Sequence, residues 1–118
     1  MIKNLIVVGL GGSLGSMARY LTTRIIYQQP LGTFTVNIIG CLIIGIVYGL
    51  SERFGWLTTE WRLFLTVGLC SGYTTFSTFA YENLKLLQST HYLNTLLYTT
   101  ASILLGLTAV SLGIWLIK

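Results

Sequence analysis

Gly72-Tyr73-Thr74-Thr75-Phe76-Ser77-Thr78-Phe79 lies inside a run, residues 63–81, that contains no Asp, Glu, Lys or Arg. The stretch sets hydroxyls, a glycine and two phenylalanines in the middle of a segment otherwise apolar enough to cross a bilayer. Hydrocarbon gives an open backbone nothing to bond with, so irregular polar structure at that depth persists only inside protein or beside an aqueous path. The reading is a transmembrane helix broken mid-membrane, and the break is a candidate binding or conduction site. Hydroxyl donors with aromatic rings and no carboxylate suit an anion better than a cation.

Outward from this stretch, residues 25–51 and 86–117 are also free of charge, and residues 4–18 form a shorter uncharged run. A span needs about 20 mainly apolar residues. The first segment meets that length only if Arg19 lies deep or snorkels toward the headgroups. Only 8% of the 118 residues are charged and 53% are hydrophobic, against roughly 25% charged in soluble chains. The expectation is an all-α membrane protein with one four-helix domain, residues 1–118, and helices over roughly 3–27, 31–51, 60–84 and 92–117. Neither a soluble domain nor a cleavable signal peptide is expected.

The net charge of +4 comes from dispersed residues, and no basic run points to nucleic acid. Alternating helices put Lys3, Arg53, Arg62 and Lys118 on one side of the membrane and Arg19, Arg24 and Lys85 on the other. That balance is too even for the positive-inside rule to fix an orientation. Insertion in both orientations, or in one set by a partner, is expected. Four short helices enclose no pore alone, so an antiparallel dual-topology dimer is the expected assembly.

Gly11 with Gly15, and Gly12 with Ser16, repeat the small-residue spacing that lets helix backbones approach closely in lipid. They do not complete a dinucleotide fingerprint, because Leu14 replaces the third glycine and no acidic residue follows. In the second helix Asn37 must find a partner, either across a helix interface or along a polar path. Tyr98, Ser102 and Gly106 recur every four residues and share one face of the fourth helix. That stripe reads equally as a pore lining or as hydrogen-bonded packing. Trp56 and Trp61 are placed as headgroup anchors. Glu82 and Lys85 read as a surface pair, and His91 as a loop residue. Cys41 and Cys70 read as small apolar packing residues, with no metal-ligand spacing and no disulfide expected.

Phe76 and Phe79 are three apart, so their rings project to one side of a helical turn. Ring edges are positive and coordinate an anion weakly, while Thr, Ser and Asn37 supply ordinary donors. An anion that must enter and leave is better served by many weak donors than by one fixed cation. Main-chain carbonyls exposed at such a break can also hold a cation. The competing reading is that these hydroxyls bond back to their own helix.

Together these residues resemble one family, the Fluc/CrcB fluoride channels, along essentially the whole chain. The likeness is carried by Gly11-Gly12-Ser13-Leu14-Gly15-Ser16-Met17-Ala18-Arg19-Tyr20, by Leu31-Gly32-Thr33 with Asn37-Ile38-Ile39-Gly40, and by the stretch from Gly72 to Phe79. The resemblance implies an antiparallel dimer with two pores, passing fluoride down its gradient out of the cytoplasm across a bacterial plasma membrane. It implies a structural sodium ion at the dimer centre, held by backbone carbonyls of Ser71 and Thr74. Ser71 departs from the family's usual glycine. Phe76 and Phe79 match the family's aromatic box and Asn37 its pore asparagine, with Thr75 and Ser77 in the same motif. Tyr98 and Ser102 join them as candidate pore residues. Gly106 and Val110 stand where the family commonly shows serine and then threonine, so the partner is either an identical chain or a paralogous one.

Two other classes compete. A small dual-topology exporter of cationic compounds needs an acid within the membrane, and the acids here fall at predicted helix ends. A non-conducting accessory subunit is the second alternative. Enzyme activity is not expected, because the spans hold no activated nucleophile, metal cluster or acid–base pair.

Overall fold

The computed structural model describes residues 1–55 and 57–118; the expected anchor Trp56 lies outside the described residues. The described elements are helical: α1 (Ile2–Ile25), α2 (Leu31–Arg53), α3 (Thr59–Leu63), α4 (Ser71–Tyr73), α5 (Phe76–Gln88) and α6 (Tyr92–Ile117). A π-helical stretch, Phe64–Cys70, joins α3 to α4 without interruption. Four segments are long and apolar enough to cross a membrane: α1, α2, residues 59–88 and α6. Thr58 caps the third of these, its side chain accepting from the Trp61 N–H at 3.3 Å. Glu60 in that first turn suits the positive end of the helix dipole.

The small residues of α1 meet small residues of the third segment. A Cβ on Gly11 would come within 2.5 Å of the Phe64 carbonyl oxygen, and one on Gly72 within 2.6 Å of the Gly12 oxygen. Gly68 and Gly72 repeat the four-residue spacing of Gly11 and Gly15, so two small stripes face each other and the backbones touch. α2 and α6 form the other broad contact. There a Cβ on Gly113 would crowd the Leu42 oxygen at 2.5 Å and the Ile46 nitrogen at 2.7 Å.

At one end of the bundle Lys3 pairs with Glu60 at 3.6 Å, and the Arg53 guanidinium donates to the Ile117 carbonyl. The N-terminus, the turn after α2 and the end of α6 therefore lie together. Most large apolar side chains point outward; Leu104 is 58% and Leu107 64% exposed. That arrangement is unfavourable in water and ordinary in hydrocarbon. The interior is held by glycine contacts and polar bonds more than by bulky cores.

Glu82 corrects the expected surface pair. It is only 5% exposed and turns into the bundle, while the Lys85 ammonium lies 5.6 Å from the Tyr81 ring centroid. Phe76, Phe79 and Glu82 are spaced by three, so the helix turn that aims Phe79 at α6 aims Glu82 the same way.

Candidate functional site

The site is built where the third segment changes course. Thr74 (φ −88°, ψ 161°) and Thr75 (φ −152°, ψ 115°) are extended between α4 and α5. In a continuous helix the Thr75 N–H would meet the Ser71 carbonyl. Here it donates to Asn37 Oδ1 at 2.9 Å, while Asn37 Nδ2 donates to the Thr75 carbonyl at 3.3 Å. The Asn37 amide thus replaces the helical acceptor of the Thr75 N–H and adds a second donor to the Thr75 carbonyl, which answers what Asn37 bonds to. The Thr78 N–H, which would meet the Thr74 carbonyl, instead donates to Thr75 Oγ1 at 3.2 Å. Thr75 is therefore the N-cap of α5, and the Ser71 and Thr74 carbonyls are released from helical bonding.

Other hydroxyls bond back to their own helices. Thr74 Oγ1 donates to Cys70 O at 3.0 Å and Thr66 Oγ1 to Arg62 O at 2.7 Å. Ser71 sits in ordinary helical conformation (φ −67°, ψ −34°), so its Cβ costs the backbone nothing there. Its hydroxyl donates to Thr66 O at 3.2 Å, five residues back along the π-helical turn. Gly40 on α2 faces the same turn, where a Cβ would collide with the Thr74 side chain.

A groove of about 360 Å³ opens beside the turn. Asn37, Ser71, Thr74, Thr75, Phe76, Phe79 and Ser102 line it, with Cys41, Cys70 and Ile44 among the apolar remainder. The two phenylalanine rings lie 5.9 Å apart at 45°, and Phe76 is 78% exposed on the single chain. Ser102 Oγ is buried at the groove without a hydrogen-bond partner. An unpaired buried hydroxyl costs about 1–3 kcal/mol, so an acceptor in the groove would be welcome there.

Ser77 and Tyr98 stand apart from this lining. Ser77 is exposed, its hydroxyl 3.3 Å from Thr75 Oγ1. Tyr98 is buried behind the rings, its own ring 4.9 Å from Phe79 in an edge-on contact at 63°. Gly106 is buried against α2, where a Cβ would meet Cys41 Sγ at 3.4 Å.

A second cavity, about 410 Å³, lies on the other side of Thr75 and is lined by Arg19, Thr23, Thr33, Thr78 and Glu82 among others. Glu82 accepts from Thr33 Oγ1 at 3.0 Å and from the Tyr98 hydroxyl at 2.9 Å. Arg19 is half-buried and its Nε donates to the Gly72 carbonyl at 3.0 Å. It thus lies against the protein interior and bonds the backbone beside the break. Glu82 and Thr33 are the site-adjacent residues that sequence reasoning missed. The spacing of Phe76, Phe79 and Glu82 was the available signal. A buried acid also removes the ground on which a proton-coupled exporter was set aside, so that question passes to kinship.

The chain matches the family described as "CrcB-like protein, Camphor Resistance (CrcB)" over residues 6–114. It is 48% identical over 120 residues to a protein of Phocaeicola vulgatus named fluoride-specific ion channel FluC, covering 98% of each chain. A protein of the same name from Flavobacterium psychrophilum is 45% identical over 122 residues, covering 99% of this chain and 98% of the relative. Another from Leptospira interrogans is 40% identical over 121 residues, covering 98% and 95%. These relatives are ion channels by name, and the four apolar spans make this chain a multi-pass membrane protein. Kinship at this level along nearly the whole length leaves one conclusion: the chain belongs to the CrcB-like family.

Proposed function

We propose that this chain is a fluoride-selective channel that lets fluoride leave the cytoplasm passively, and that it is not an enzyme. The observation that carries the reading is the turn at Thr74–Thr75 opening onto a groove with two phenylalanine rings and an unpaired Ser102 hydroxyl. Near full-length similarity to proteins named fluoride-specific ion channels supports it. External acid converts fluoride to neutral HF, which crosses lipid and dissociates inside. A channel releases the trapped anion without ATP or proton coupling.

The chemistry follows from the groove. Fluoride entering must exchange its water for comparable partners, and no partner should hold it so firmly that it cannot leave. Ring edges of Phe76 and Phe79 offer a weak positive rim. Ser102 offers a hydroxyl, and the start of α5 at Phe76 adds the positive end of a helix dipole. Asn37 and Thr75 act chiefly by holding the turn. Ser77 and Tyr98 belong to the surrounding support, Ser77 beside the cap and Tyr98 behind Phe79.

The working unit in this reading is an antiparallel dual-topology dimer with two pores, in a bacterial plasma membrane. The exposed Phe76 ring and the balanced charges of the two bundle ends favour it. The helix would then be broken mid-membrane, with the Ser71 and Thr74 carbonyls at the dimer centre. Those carbonyls, freed because Asn37 and Thr75 Oγ1 take their helical donors, suit a sodium ion. Bound there, sodium would cross-link carbonyls of both copies. Gly106 brings no hydroxyl to α6, which favours pairing with a paralogous chain as a second reading.

Liposomes holding this purified polypeptide alone test both readings with a fluoride electrode and chloride as control. Fluoride efflux well above chloride shows that this chain conducts without a paralogue. Silence alone, with efflux on adding a paralogue, selects the heterodimer, and silence in both sinks the channel reading. Replacing sodium with a larger organic cation should weaken assembly; an indifferent dimer would remove the central ion.

A further inference from the structure

Cys41 and Cys70 are far apart in the chain and look unrelated in sequence, yet both line the groove beside Asn37, Ser71 and Phe79. Both are free thiols, Cys70 only 3% exposed and Cys41 half-buried. They approach from different elements, Cys41 from α2 and Cys70 from the end of the π-helical stretch. Cys41 Sγ lies against α6 at Gly106, one turn from the unpaired Ser102 hydroxyl. We infer that these thiols form a two-sulfur site for a soft monovalent cation, of the class of Cu⁺ or Ag⁺, whose occupation closes the groove.

Soft thiolates select such ions, while hydroxyls, amides and ring edges compete poorly for them. The ligand is the thiolate, so binding breaks two S–H bonds, forms two S–metal bonds and releases two protons; no electron moves. A monovalent ion held by two thiolates leaves one net negative charge in the groove. That charge repels fluoride, and the ion fills space between α2 and the turn. Binding stands on the thiols alone; closure rests on the groove being the fluoride path.

Silver nitrate in chloride-free buffer is the probe, used in two measurements. Equilibrium dialysis of the solubilised protein should find one tightly held silver per chain. Fluoride efflux from liposomes should fall at least about tenfold at micromolar silver and recover with dithiothreitol. Bidentate capture gains from effective concentration, so Cys41→Ser and Cys70→Ser should each need about a hundredfold more silver. The alanine variants repeat the test where a serine variant does not fold. Unchanged sensitivity in the double variant, or loss confined to one single variant, would overturn the two-sulfur site. Thiol-dependent binding with undiminished efflux would instead overturn closure, and with it the placement of the fluoride path here.

Discussion

The chamber beside Arg19 and the groove beside Phe76 share Thr75 and differ in how their polar groups are used. In the chamber the charged groups already hold neutral partners. Arg19 Nε holds the Gly72 carbonyl, and the two Glu82 oxygens take the Thr33 and Tyr98 hydroxyls. In the groove the groups are weak and one is idle, with Ser102 Oγ unpartnered and the Phe76 ring bare. The difference teaches where a transient anion would find its partners. Charged groups bonded to neutral neighbours shape the walls, and in the proposed reading unspent neutral donors remain for the ion.

The rings carry the largest expected effect. Phe79→Ile removes the ring that meets both Phe76 at 5.9 Å and Tyr98 at 4.9 Å. An anion deprived of partners in an apolar passage loses several kcal/mol, and a deficit of about 3 kcal/mol slows passage about a hundredfold. Efflux should collapse while size-exclusion chromatography shows unchanged assembly. Wild-type flux in Phe76→Ile and Phe79→Ile alike would move the path out of the groove and break the contrast.

Asn37→Ala comes next. It strips both bonds that hold the Thr75 backbone to α2. At about 1 kcal/mol each, they should lower flux about thirtyfold if the turn must be held in this shape. Asn37→Asp keeps the acceptor for the Thr75 N–H and loses the donor to its carbonyl. Partial rescue of thermal stability by Asp, read as a higher melting temperature than Ala, marks the clamp. Equal behaviour of both variants would mean the amide serves the ion directly.

Much of this organisation was legible in the chain. Uncharged runs of helix length announce three spans, and a fourth once Arg19 is admitted to the first, because lipid tolerates few charges over about 20 residues. The polar stretch from Gly72 to Phe79 announces a singular place within one of them. Small-residue spacing in α1 announces a close neighbour, although Gly68 and Gly72 as that neighbour emerge only in three dimensions. What escaped was pairing across distance. Asn37 and Thr75 are separated by 38 residues and Thr33 and Glu82 by 49, and linear reading assigns a charge near a helix end to solvent. The π-helical turn left no specific mark either, since its residues apart from Gly68 are ordinary helix and strand formers.

Glu82 sharpens the comparison from the chamber side. Glu82→Ala leaves the Thr33 and Tyr98 hydroxyls unpaired in the interior, at about 1–3 kcal/mol of stability. Glu82→Gln restores both contacts, its carbonyl oxygen accepting from Tyr98 and its amide donating to Thr33 Oγ1. The expected result is a melting temperature near wild type and flux within about threefold of it, since less than 1 kcal/mol separates the two states. If Gln is as damaging as Ala, the negative charge itself is needed and the chamber belongs to the conduction path.

Ser102→Ala carries the smallest change and separates packing from conduction by the sign of two measurements. The Ser102 hydroxyl is buried and unpaired, so deleting it should raise the melting temperature slightly, by relief of an unsatisfied group. The same deletion removes a donor from the groove. A neutral hydrogen bond is worth about 1 kcal/mol, so flux should fall about fivefold. Opposite movements of stability and flux place the hydroxyl among the ion's partners. A rise in stability with unchanged flux would make Ser102 a flaw in helix packing and leave the groove with rings alone.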